Sequence, residues 1–107
     1  MKPAVIRRAA YGDVERQVRW YRQNATESTA VRFRDALRTA LDRIEERPGI
    51  GSPRFEQELG LEGLRSWSLD TFLVTIFYFE RDDALDVWRV LHQSQDIQLI
   101  LSSNPAP

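Results

Sequence analysis

The chain has 107 residues, 42% of them hydrophobic and 29% charged, with a formal net charge of −1; this suits one soluble globular domain with a thin core. Cysteine is absent and histidine occurs once, which excludes disulfides, thiolate chemistry and, within one chain, cysteine or multi-histidine metal sites. No apolar run approaches the roughly 20 residues that cross a bilayer, and MKPAVIRRAAYGDV lacks the apolar centre of a signal peptide, so the expected compartment is the cytoplasm.

AVIRRAAYGDV reads as a short strand running into a helix. Val14, Val18, Tyr21 and Ala25 follow at helical spacing, with Trp20 beside them. Asp13 has the chemistry of an N-cap for that helix, and residues 24–29 supply turn residues. A second helix is expected behind a Ser28 or Thr29 cap. Phe33, Ala36, Leu37, Ala40, Leu41 and Ile44 form one apolar stripe on it. RPGIGSP ends it, because proline cannot continue a helix and glycine favours the turn. Two helices joined by so short a turn form an antiparallel hairpin.

The period then changes. Gly63–Leu69 is a short candidate strand, and Thr71–Glu80 a long one rich in β-branched and aromatic residues. RDDA turns the chain into LDVWRVLH, an antiparallel partner. DIQLIL is one or two helical turns or an extended segment, and the last residues, 102–107, are expected to fray. The order β-α-α-β-β-β implies a single α+β domain: an antiparallel sheet with a helical hairpin on one face and a short C-terminal segment. Its core spans about residues 4–101.

The long strand is apolar on both sides. Phe72, Val74, Ile76 and Tyr78 alternate with Leu73, Thr75, Phe77 and Phe79, whereas a one-faced antiparallel strand alternates apolar with polar. The hairpin covers one face only. The other needs the C-terminal segment, a second copy or a partner chain, and an uncovered face would mark an interaction site.

Few residues carry recognisable chemistry. His92 suits a general base, but a nucleophilic site needs a hydroxyl beside it and an orienting carboxylate. Ser94 and Asp96 are near in sequence, yet strand neighbours point to opposite faces, and no G-x-S-x-G elbow accompanies them. Arg65 and Arg89 could meet a phosphate; the simpler reading pairs each with a carboxylate such as Asp86 or Glu80. Trp67, Trp88 and Tyr78 could stack on bases, though aromatics on adjacent strands are more often core. Residues 1–47 carry eleven Lys/Arg against seven Asp/Glu, and residues 48–107 carry four against nine. A nucleic-acid groove built from the acidic half would lack cations. Direct DNA binding is therefore not expected, nor is a cofactor or metal.

The segments AAYGDVERQVRWY, AVRFRDALRTALDRIEERPGIGSP, GLEGLRSWSL, FLVTIFYF and ALDVWRVLHQSQDIQLIL, in this order, resemble the ParE branch of the RelE/ParE superfamily of bacterial type II toxin–antitoxin toxins. The set GLR, FY and RVLH…D carries most of the likeness. The resemblance implies the same α+β fold and a toxin that arrests growth, stabilises plasmids, and is neutralised by an adjacently encoded antitoxin wrapped around it. The ParE branch is associated with poisoning DNA gyrase and the RelE branch with cleaving mRNA on the ribosome. Arg65 stands where a RelE-type arginine would, but Gln95 takes the place of the arginine after the last strand, and the C-terminal tyrosine has no counterpart in IQLILSSN. The gyrase-directed, non-enzymatic reading is therefore favoured. The alternatives are a RelE-type mRNA interferase, for which Arg65, Arg89 and His92 would carry the chemistry, and a degenerate module that only binds antitoxin. Arg65, Trp67, Phe77, Phe79, Trp88 and His92 are the residues expected to meet a partner.

Overall fold

The computed structural model describes residues 2–103. The elements run β1 (Ala4–Ile6), α1 (Arg8–Asn24), α2 (Glu27–Glu46), a 3-10 turn (Pro48–Ile50), α3 (Arg54–Leu59), β2 (Leu64–Ser68), β3 (Val74–Glu80), β4 (Leu85–His92) and α4 (Ile97–Ser103). The α+β architecture and the helical hairpin are as the periodicity implies. The connection between α1 and α2 is shorter than expected, and Thr26 rather than Ser28 or Thr29 is the cap: its hydroxyl accepts from Thr29 N at 3.0 Å. Asp13 is not a cap at all. Helix α1 starts six residues earlier, straight after β1, because the Arg7 N–H donates to Val87 O at 3.0 Å and carries strand pairing to the first helical residue.

The sheet has the order β1-β4-β3-β2. Strands β2, β3 and β4 are antiparallel, but β1 runs parallel to β4, aligned over Ala4↔Leu85 to Ile6↔Val87. The sheet is thus mixed rather than wholly antiparallel. Opposite the step between Phe77 and Tyr78, the pairing on β4 jumps from Val87 to Arg89, so Trp88 is an extra residue and makes a β-bulge.

Both faces of the sheet are covered by this chain. On one, the buried stripe of α2 (Phe33, Leu37, Ala40, Leu41, Ile44) and Ala10 and Val18 of α1 pack on Val74, Ile76, Tyr78, Leu85, Val87 and Val90. Tyr21, Phe33 and Phe72 close its end with ring centroids 5.3–5.5 Å apart. On the other face, Leu64, Phe77, Phe79, Trp88 and Leu91 lie beneath Phe55 and Leu59 of α3 and Ile97, Ile100 and Leu101 of α4. Helix α3 is absent from the expectations above. Six residues present too short a period, and its stop, Gly60 at φ 67°, is visible only as one glycine among several. The C-terminal segment takes its helical alternative, and Ser102 and Ser103 belong to α4 rather than to a frayed tail; residues 104–107 lie outside the described ones.

Two expectations follow. Leu101 is buried whereas Leu99, two residues away, is exposed. In urea denaturation Leu101→Ala should cost about 2–4 kcal/mol, and Leu99→Ala less than about 0.5 kcal/mol. Asp86 is held below the usual carboxylate range, first by its hydrogen bond from Arg7 (Nε to Oδ1, 2.7 Å) and then by Arg81, against the opposing effect of burial. A depressed carboxylate stabilises the fold above its unfolded pKa, about 3.9, and loses that stabilisation as pH falls through its folded value. Asp86→Asn should therefore show a shallower loss of stability on acidification below about pH 4 than the parent, measured as urea midpoint against pH.

Candidate functional site

The organising contact of the molecule joins α1 to β4. Strand β1 is only three residues long, so from Trp88 onward β4 has no neighbouring strand on that side. Side chains of α1 take the place of the missing ladder. The Val90 N–H donates to Asp13 Oδ2 at 2.9 Å, and Val90 O accepts from Gln17 Nε2 at 2.9 Å. Asp13 also holds Arg89 in a two-pronged pair, Nε to Oδ2 and Nη2 to Oδ1, both 2.7 Å. Arg16 Nη2 adds a fourth bond to Oδ1 at 2.8 Å. Asp13 and Arg89 are both buried, and the hydrogen bond to Asp13 raises the guanidinium pKa further, against burial, which lowers it.

Arg89 therefore does pair with a carboxylate, but with Asp13 and not with its strand neighbours. Asp86 is occupied by Arg7 and Arg81, and Glu80 by Lys2 at 2.8 Å. Arg65 faces the hairpin side opposite Tyr78, and its Nη1 donates to Gly51 O at 2.8 Å. The same loop is pinned by Tyr78, whose hydroxyl donates to Pro48 O at 2.7 Å and accepts from Gly51 N at 3.0 Å. Burial pushes that phenol upward. A Cβ on Gly51 would lie 2.5 Å from Tyr78 Oη, so the loop requires glycine there for space.

His92 ends β4, and the chain then turns. In that turn Ser94 comes back to it: the Ser94 N–H donates to Nδ1 at 3.1 Å, and Ser94 Oγ lies 2.8 Å from the same nitrogen. The expectation that strand alternation separates the two residues fails because Ser94 is in the turn, not the strand. The contact does not make a nucleophilic triad. Nδ1 is engaged by Ser94, and Asp96 is turned away, its Oδ1 accepting from Leu99 N at 3.1 Å. Gln95 folds onto the same turn, its Oε1 accepting from His92 N at 2.8 Å.

Of the other residues expected to meet a partner, Phe77, Phe79 and Trp88 are buried beneath α3 and α4, and Trp67 is half-buried against the hairpin-side core. The covered second face accounts for them: they are core before they are surface. Among the described residues, the two larger open clefts flank β4 and β2. One of about 400 Å³ lies between α1 and the end of β4, lined by Asp13, Arg16, Gln17, Trp20, Tyr21 and His92 with the Ser94–Gln95 turn. The other, about 730 Å³, lies between α3, β2 and the start of α4, and is rich in hydroxyls and amides: Ser52, Ser66, Ser68, Thr75, Gln93, Gln95 and Gln98. Its cation, Arg54, is paired with Glu58 at 3.2 Å and stacked over Phe55. Arg16, Gln17 and Asp13 were not legible as site residues; the available signal was the base inside the apolar run VWRVL.

A four-stranded sheet with a helical hairpin on one face and two short helices on the other defines a RelE/ParE-like α+β domain. The profile of the ParE toxin of type II toxin–antitoxin systems, parDE, matches residues 4–97, and the chain belongs to that family. Among solved structures it is similar to one described as the chromosomal ParDE TA system from P. aeruginosa, with a TM-score of 0.73 and 14% identity over 86% of this chain and 96% of that one; at that identity the likeness is one of fold. No curated protein matches. No described helix is long and apolar enough to cross a membrane, and among the described residues no cluster of His, Cys, Asp or Glu is placed to hold a metal.

The stapling contact is directly testable. Arg89→Ala leaves a buried carboxylate with half its hydrogen bonds and should cost about 3–5 kcal/mol in urea denaturation. Replacing both members, Asp13→Leu with Arg89→Leu, should cost clearly less than the two single changes added together.

Proposed function

We propose that the chain is a growth-arresting toxin that acts in the cytoplasm by binding DNA gyrase, is neutralised by a cognate antitoxin encoded beside it, and so stabilises the plasmid or locus that carries the pair. Family membership supports the toxin class. The observation that carries the non-nuclease reading is the dispersal of the three residues a nuclease would need. Arg65 sits on edge strand β2 and serves the Gly51 loop. Arg89 lies two strands away with its guanidinium in both prongs of Asp13. His92 faces the α1 cleft with Nδ1 already occupied. Cleavage of a phosphodiester calls for cations and an acid–base group converging on one phosphate. The larger cleft, where Gln95 lies, instead offers hydroxyls and amides, which hold neutral polar groups.

Purified chain added to a gyrase reaction should block supercoiling and accumulate gyrase-cleaved linear DNA. Adding the antitoxin should reverse both effects. Supercoiling and cleavage that proceed unchanged at a large molar excess of the chain would refute gyrase as the target.

A further inference from the structure

The outer face of α1 carries a charge that the fold does not explain. The helix holds four arginines, Arg8, Arg16, Arg19 and Arg22, against Asp13 and Glu15. Asp13 is buried and already neutralised by Arg89, so it removes little from the surface charge. Helix α2 holds four arginines against five acids; there Arg38 serves Asp42 and Glu45, and Arg43 meets Asp70. The surplus of cations therefore belongs to α1. At helical spacing Arg8, Arg16 and Arg19 share an arc of about 80°, and all three are exposed. Arg8 and Arg19 stand about 16 Å apart along the axis.

Folding alone does not call for these positions. Helix α1 has neither an acid in its first turn nor a side-chain cap, so Arg8 stands at the positive end of the helix dipole, where a cation is disfavoured. Arg19 follows Glu15 by four residues, a spacing at which ion pairs form on a helix. Yet neither Arg8 nor Arg19 has an ion-pair partner among the described residues. Arg16 gives one N–H to Asp13 and keeps its side chain 64% exposed. Gly12 lies within the same arc, inside the helix, where glycine is destabilising. A Cβ there would meet Arg16 Nη1 at 3.2 Å, so glycine lets that guanidinium lie close against the helix.

Three cations along one side of a rigid rod suit a ligand whose negative charge is regularly spaced. B-DNA carries about one phosphate charge per 1.7 Å of axis, so the stretch from Arg8 to Arg19 spans about ten of them. An acidic peptide would need a pocket for its side chains, and Arg8 and Arg19 line neither of the two larger clefts. The acidic half offers phosphates no surface, but α1 does. We propose that the outer face of α1 binds the phosphate backbone of duplex DNA through Arg8, Arg16 and Arg19, without reading its sequence. The contact goes beyond the gyrase reading and stands without it. Beside an enzyme that works on DNA, it would raise the local concentration of the chain.

Fluorescence anisotropy of a labelled duplex of about 20 base pairs, titrated with the whole chain near neutral pH, tests this. In about 20 mM salt the Kd should be about 100 µM or tighter. The logarithm of the association constant should fall with log salt with a slope of about −2.7, the value for three phosphate contacts. Arg8→Gln combined with Arg19→Gln should weaken binding about tenfold or more and make the slope shallower by about two. Glu15→Gln, which removes the acid beside the arc, should tighten binding. Trp20→Ala, on the rim of the α1–β4 cleft, should change it less than about twofold. All four positions are exposed. Absence of binding in about 20 mM salt, a slope shallower than about −1, or a double variant that binds like the parent would each overturn the proposal. So would a larger loss in Trp20→Ala, or poly-glutamate that competes as well as unlabelled duplex at equal charge. Neither gyrase nor growth enters the titration, so such a failure removes the DNA contact and leaves the target itself to the supercoiling assay.

Discussion

Everything at the helix–sheet seam depends on Asp13. A parallel strand of three residues cannot satisfy an eight-residue neighbour, so β4 emerges from β1 with backbone groups that would be buried and unpaired. Helix α1 supplies the missing partners, Asp13 for the Val90 N–H and Gln17 for its carbonyl. The bulge at Trp88 fits the same arrangement, because Arg89 and Val90, successive residues, both reach α1. Once Arg89 closes on Asp13, the register of α1 along β4 is set. A buried ion pair of this kind adds little stability over a well-packed apolar pair, but losing one member is costly. It sets one alignment of α1 on β4, and it removes from solvent one of the three residues that a phosphate-handling site would use.

The second constraint is a sheet that is apolar on both sides. Phe77, Phe79 and Trp88 need cover as much as Ile76 and Tyr78 do. Two short helices provide it, fastened to each other by Gln98 Nε2 to Glu58 Oε2 at 2.9 Å. Covering the face with the chain's own elements moves the open surface to the margins: the α1–β4 cleft on one side and the amide-lined cleft beside β2 on the other.

What was legible in the sequence follows from the range of each interaction. The stripe from Phe33 to Ile44 and the strand LDVWRVLH are local periodicities, and they reappear within a residue or so. The doubly apolar strand announced that a second layer existed, yet its identity lay in RFEQEL, too short to show a period. Asp13 misled for a physical reason. An acid near a helix start satisfies the local rule for a cap, and only a residue 76 positions later reveals the other use of its carboxylate. The parallel pairing of β1 is equally non-local. Ser94 meeting His92 depended on where the strand stops, the least legible property of all.

We propose that the chain arrests growth by binding a protein and cuts no RNA. Mapping transcript 5′ ends genome-wide in the first minutes of induction, with translation running, tests it most directly. The account predicts that the 5′-end profile stays that of uninduced cells while growth stops. New ends inside translated codons, lost in Arg65→Ala, would contradict it.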